Sequence, residues 1–231
     1  MTAERNIRLL IAFDGTEFNG WQRQKHDVTI QGEIEKCLAV MTNSQTVLHG
    51  AGRTDAGVHA DGMVAHFSTR ARISTTAFQK GLNSMLPYAI RILDAEEASA
   101  DFHSRFSAKG KHYQYSIYIG EVMPPTERLY ALHAPFSLDF ERIEKCLALL
   151  IGTHDFSSFE NSGSRDKEKE SRKGAVRTIM VAKMDQVNAY RYTFTFIGEG
   201  FLRHMVRNIV GTLLEVGKGQ RTVEEFAHAL H

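Results

Sequence analysis

Apolar residues recur along this chain at two spacings, and the alternation between them predicts the elements. Ile7–Phe13 reads as a strand, followed by a glycine-bearing loop. From about Ile30 to Met41 the residues Ile30, Ile34, Leu38 and Met41 fall three to four apart, the stripe of a helix packed on one side. Strands follow at Thr46–His49 and Met63–Ser68, a helix near Thr76–Met85, and a strand near Ile90–Leu93. Further on, Tyr113–Ile119 reads as a strand and Leu138–Leu150 as a helix. Val176–Met184 and Tyr190–Ile197 read as two strands joined through Asp185–Asn188, where an Asp and an Asn supply the turn in place of glycine. A helix from Phe201 to Val216 comes next, and Thr222–Leu230 opens another.

The order is βαββαβ in the first half and the same in the second, which stops before its last strand. A repeated hexapeptide strengthens the comparison: Ile34-Glu35-Lys36-Cys37-Leu38-Ala39 recurs as Ile143-Glu144-Lys145-Cys146-Leu147-Ala148. The expected fold class is α+β, with two similar halves whose antiparallel or mixed sheets adjoin and whose helices cover one face. The halves divide as 1–104 and 105–231. The ligand is expected on the open face or in the cleft between the halves. The polar, charged stretch Asn161–Gly174 reads as a mobile loop, with phosphate contact a secondary reading.

At 231 residues, 42% hydrophobic and 24% charged, the chain has the composition of an ordinary globular protein with a sizeable core. No apolar run approaches about 18 residues and the N-terminus lacks a signal-peptide pattern, so no membrane span and a cytoplasmic location are expected. Cys37 and Cys146 sit in helical patterns and are expected as free buried thiols. The net charge of +1 means that any basic binding surface is local. No glycine-rich loop ends in the Lys-Ser/Thr of a nucleotide-binding P-loop, and no cofactor signature is present.

The most informative stretch runs Gly50-Ala51-Gly52-Arg53-Thr54-Asp55-Ala56-Gly57-Val58-His59. Its three glycines allow close approach of the backbone to a ligand, and one carboxylate, Asp55, sits two residues after Arg53. Such an acid on a loop between strands is placed to attack or bind. In the predicted helix Phe201–Val216, Arg203, Arg207 and Gly211 form a row at a spacing of four. Arg203 has Glu199 one turn earlier, whereas Arg207 has no acid along its row and is expected to find an anion elsewhere, with Asp55 the candidate. The segment Asp101–Tyr118 interleaves Phe102, His103, Arg105, Phe106, Lys109, Lys111, His112, Tyr113, Tyr115 and Tyr118, a mixture that suits RNA. Tyr115 reads as core and Tyr113, nearer the strand start, as a base-stacking candidate. His59 and His66, with Asp55 and Asp61, fit no zinc spacing, and His66 reads as a structural histidine, so no metal is expected.

Four stretches together resemble the TruA-type tRNA pseudouridine synthase family. They are Phe13-Asp14-Gly15-Thr16-Glu17-Phe18-Asn19-Gly20-Trp21-Gln22-Arg23-Gln24; Gly52-Arg53-Thr54-Asp55-Ala56-Gly57-Val58-His59; Asp101-Phe102-His103-Ser104-Arg105-Phe106-Ser107-Ala108 with Tyr113 beyond it; and Phe201-Leu202-Arg203-His204-Met205-Val206-Arg207-Asn208-Ile209-Val210-Gly211. The resemblance implies an isomerase that converts uridine to pseudouridine in the anticodon stem-loop of tRNA (family positions 38–40). RNA would lie in the cleft between the halves, and no cofactor would be needed. By resemblance Asp55 is the nucleophile and Arg207 its ion-pair partner. Tyr113 stacks on the target uracil and Arg53 holds the flipped nucleotide. Arg23, Arg105, Lys109, Lys111 and Arg203 are expected to contact RNA, and tRNA and a second copy of the chain, as a homodimer, are the expected partners. Whether the aspartate attacks ribose C1′ or uracil C6, or first takes a ribose proton, stays open. The family also carries a C-terminal strand with a Gly-Leu-Tyr-Leu-like motif that gives the site an apolar residue, and this sequence contains no such segment. The rival readings are a non-catalytic RNA-binding module on the same scaffold and a metal-dependent hydrolase using His59, His66 and Asp61.

Overall fold

Ile7, Leu9, Ile11 and Phe13 alternate with Arg8, Leu10 and Ala12, and the alternation places all four on one buried face of strand β1 (Arg5–Phe13). This strand is central to the first of two compact units into which the chain divides, Met1–Ala108 and Lys109–His231. The computed structural model describes residues 4–161 and 174–230, so the polar stretch at 162–173 lies outside the described residues.

In the first unit β1 is followed by α1 (Ile30–Thr42), β2 (His49–Gly50), β3 (Ala60–Thr69), α2 (Thr75–Met85) and β4 (Ile90–Ala98). The sheet order is β2-β3-β1-β4, antiparallel throughout. Both helices begin where a hydroxyl satisfies an otherwise unpaired amide: Thr29 accepts from Gly32 at 3.3 Å and Ser74 from Ala77 at 3.2 Å. Ile30, Ile34 and Leu38 of α1 and Phe78 and Leu82 of α2 join the inward face of β1 in one core, so both helices cover the same face of the sheet.

The second unit runs β5 (Lys111–Tyr118), β6 (Leu132–His133), α3 (Phe140–Leu149), β7 (Gly152–Asp155), a 3-10 turn at Ser157–Phe159, β8 (Val176–Gln186), β9 (Arg191–Gly198), α4 (Met205–Gly217) and α5 (Val223–His228). Its sheet order is β6-β5-β9-β8-β7, antiparallel except for the β5–β6 pair. The core gathers Ile143, Cys146 and Leu147 of α3 with Ile209, Val210 and Leu213 of α4 against Phe194 and Phe196 of β9. Asn188 makes the β8–β9 turn, its side-chain oxygen accepting from the amides of Tyr190 and Arg191 at 2.9 Å each.

The α+β class and the two helix-flanked sheets agree with the pattern of apolar spacing. The two sheets also share an inner order, with β8-β9-β5 arranged like β2-β3-β1, and β6 stands against β5 on the side where β4 stands against β1. Two strands were not expected, β6 and β7, because two and four residues are too few to carry a period. The helix predicted from Phe201 begins only at Met205: His204 takes the left-handed conformation (φ 61°, ψ 3°), and the chain before it is a turn in which the Met205 amide donates to the Leu202 carbonyl at 3.2 Å. Arg203 therefore lies ahead of α4 and not on a helical row with Arg207.

Candidate active site

Asp55 stands on the loop between β2 and β3, and a second loop, between β1 and α1, is packed against it backbone to backbone. The Trp21 amide donates to the Thr54 carbonyl at 3.1 Å and the Gly57 amide to the Phe18 carbonyl at 3.3 Å. Two glycines allow this approach. A Cβ at Gly15 would stand 2.0 Å from the Val58 carbonyl oxygen, and one at Gly20, whose φ is +81°, would stand 2.4 Å from that of Thr54. The buried Trp21 ring packs on Gly50, where a Cβ would stand 2.7 Å from it. Gly15, Gly20 and Gly50 thus serve contacts between the two loops, whereas a Cβ at Gly57 would meet nothing within 4 Å.

Asp55 opens a tight turn. The Val58 amide donates to the Asp55 carbonyl at 3.2 Å, and Gly57 at the third position takes φ +76°. The aspartate is half-buried and Arg53 is exposed. At the end of the loop the Gly15 amide donates to His59 Nδ1 at 3.2 Å, and the Asp14 carboxylate lies 3.0 Å from the same nitrogen.

A buried polar network on α1 fixes both loops at their roots. Glu35 accepts from the Leu48 amide at 2.9 Å and from the Gln31 side chain at 3.0 Å, and pairs with Arg23 at 2.9 Å. Gln31 accepts from the Arg23 amide at 2.8 Å and donates to the Leu48 carbonyl at 2.9 Å. Arg23, expected as an RNA contact, thus carries a structural ion pair as well, with most of its side chain in solvent. The sequence reading missed Gln31 and Glu35; their one signal is two polar residues four apart beside the apolar stripe of α1.

The third stretch, Asp101–Ala108, docks on the strands that flank the loop. The Ser104 amide donates to His66 Nδ1 at 3.2 Å, and its hydroxyl donates to the His49 carbonyl at 2.6 Å. Burial, with His103 and His49 nearby, pushes the His66 pKa down to about 4, so it is a neutral structural histidine with its proton on Nε2. Arg105 is exposed. Among the described residues no group of His, Cys, Asp or Glu converges as a metal site.

In the second unit Tyr113 lies on β5 opposite Phe196 of β9, half-buried, and the Phe201 ring meets it edge-on at 5.0 Å and 72°. Phe201 in turn sits over Gly198, where a Cβ would meet the Thr178 carbonyl oxygen at 2.6 Å. Tyr115 packs against the core. Lys109 is exposed and Lys111 opens β5 opposite Gly198. Arg207 is exposed in the first turn of α4, and Arg203 is exposed in the turn before it. That first turn is anchored by the Asn208 side chain, which donates to the Phe159 carbonyl at 2.9 Å. The first unit therefore brings Arg23, Arg53 and Asp55 onto two joined loops, and the second brings Tyr113 against the segment that leads to Arg203 and Arg207.

A family model described as tRNA pseudouridine synthase matches residues 9–107 and 147–231. Among curated proteins, tRNA pseudouridine synthase A 1 of Desulfotalea psychrophila is 58% identical over 226 residues, covering 98% of this chain and 90% of that protein. tRNA pseudouridine synthase A of Lacticaseibacillus casei is 44% identical over 223 residues, 96% of this chain and 88% of its own length. The Acetivibrio thermocellus protein of the same name is 42% identical over 221 residues, with 96% and 88% covered. With both units matched and identity sustained along nearly its whole length, the chain belongs to the tRNA pseudouridine synthase family, a family of isomerases.

Proposed function

We propose that this chain converts uridine to pseudouridine in the anticodon stem-loop of tRNA, with Asp55 as nucleophile. The reading rests on one observation above the others: the carboxylate-bearing turn is tied to a second loop by a hydrogen bond on either side of Asp55, Trp21 to Thr54 and Gly57 to Phe18. A nucleophile held this way loses little entropy on the way to the transition state. The reaction breaks the N1–C1′ glycosidic bond, turns the uracil and joins C5 to the same C1′. The C5 proton is released, N1 takes up a proton in place of its bond to C1′, and no electrons are gained or lost, so the chemistry needs no redox cofactor. Aspartate supplies covalent catalysis whether it attacks C1′ or C6.

Arg207 pairs with Asp55 and keeps it ionised and oriented, Tyr113 stacks on the target uracil, and Arg53 holds the nucleotide out of the stem. Extrusion costs a few kcal/mol, which phosphate contacts from Arg23, Arg105, Lys109, Lys111 and Arg203 offset. The enzyme works on tRNA as a homodimer in the cytoplasm. The test is tritium release from tRNA labelled at uridine C5. The wild-type chain is expected to release tritium, and Asp55→Ala to release none while still binding tRNA. Turnover by Asp55→Ala would overturn the assignment.

A further inference from the structure

A ladder of aromatic rings leads from the sheet of the first unit out to solvent. Strand pairing sets its first rungs, because the exposed His49 of β2 lies opposite the buried His66 of β3, with the rings 5.1 Å apart and inclined by 25°. Ser104, buried and bonded to both residues, fixes the segment that carries the outer rungs. The His103 ring stands 4.6 Å from His66, and the Phe106 ring 4.3 Å from His103. The turn that presents Phe106 is closed three times: the amides of Phe106 and Ser107 donate to the His103 carbonyl at 3.0 and 2.8 Å, and the His103 amide donates to Ser107 Oγ at 3.1 Å.

The outermost rung is 76% exposed, and the exposed Arg105 guanidinium lies 5.9 Å from its centroid. So exposed a ring contributes little to folding, yet it is held rigidly and flanked by a cation. A flat apolar face next to a guanidinium complements an unstacked base and its phosphate, and every base offers a π-face.

We propose that Phe106 is a stacking platform for an unpaired nucleobase of the RNA substrate, at a nucleotide other than the one isomerised, with Arg105 meeting that nucleotide's phosphate or covering its base. The proposal rests on the tRNA reading and adds to it a second point of base contact, one that tolerates any sequence. It belongs to loop nucleotides, whose bases can splay out, and not to the paired stem.

The test measures binding of an unmodified tRNA transcript to the full chain across a range of salt. Phe106→Ala is expected to lose about 5- to 100-fold in affinity. The slope of log affinity against log salt should stay as in the wild type, because stacking releases no counterions, whereas Lys109→Ala flattens it. Phe106→Trp restores affinity and Phe106→Leu does not. Phe106 is not part of the core, so its variants should melt with the wild type. Wild-type affinity in Phe106→Ala, a flattened slope, equal rescue by Leu, or a change confined to oligomeric state would each overturn the platform. Tritium release by the wild type in the same preparation separates the two failures. Without release the isomerase reading falls; with release and an indifferent Phe106→Ala, only the platform does.

Discussion

The Trp21 amide donates to the Thr54 carbonyl at 3.1 Å, one residue before Asp55. Two loops that the sequence separates by more than thirty residues therefore behave as one rigid piece, and the carboxylate inherits its position from both.

Alanine at Gly20 tests that rigidity. The added Cβ meets the Thr54 carbonyl oxygen at 2.4 Å and must adopt φ +81°, so the loop that bears Asp55 has to move. A stability loss of about 2 kcal/mol or more is expected in urea unfolding. Tritium release should fall by about 100-fold, as a misplacement of about 1 Å at a reacting group does. Gly57→Ala shares the positive φ but meets no neighbouring atom within 4 Å, so it is expected to lose less in both measurements.

Arg207 separates electrostatic positioning from folding. It is exposed on α4, so Arg207→Lys should change unfolding stability by less than about 0.5 kcal/mol. Under the proposed pairing with Asp55, lysine would lack the two-pronged geometry that orients a carboxylate, and kcat is expected to fall about 10- to 1000-fold with KM little changed. A loss confined to KM would assign Arg207 to RNA binding instead.

Glu35 and Glu144 occupy the same place in the repeated hexapeptide, but Glu35 is buried with three partners and Glu144 is in solvent. Glu35→Ala is expected to cost about 3 kcal/mol by orphaning the Leu48 amide and the Gln31 side chain, and Glu144→Ala less than about 0.5 kcal/mol. Denaturant midpoints of the two variants check this directly.

His66 predicts an acid sensitivity. Its pKa falls from 6.5 to about 4 on folding, so between these values the unfolded chain binds more protons than the folded one. Stability present above about pH 6.5 is therefore lost as the pH falls toward 4, on the order of 3 kcal/mol. Protonation puts a hydrogen on Nδ1, where the Ser104 amide donates, so the Ser104 segment should loosen first. Unfolding midpoints at pH 7 and pH 5 should diverge more in the wild type than in His66→Asn, which can accept the same hydrogen bond without titrating.

The family and most of the elements were legible in the sequence, because both depend on neighbours along the chain. The spacing of Ile30, Ile34 and Leu38 marks a helix wherever it packs, and strand alternation puts Ile7, Leu9, Ile11 and Phe13 on one face regardless of what covers them. The stretch from Gly52 to His59 pointed to Asp55 for the same local reason. Only the folded chain decided which glycines serve contact between loops, since Gly15 and Gly20 answer to Val58 and Thr54. It also set the start of α4, where the left-handed His204 overrides an apolar pattern that runs on without a break. The repeat makes the division plainest. Ile-Glu-Lys-Cys-Leu-Ala buries its isoleucine and leucine in both copies, because periodicity alone commits those side chains to a core. The fate of its glutamate depends on partners outside the hexapeptide: Leu48, Arg23 and Gln31 reach Glu35, whereas Glu144, with Phe140 in the place of Gln31, stays in solvent.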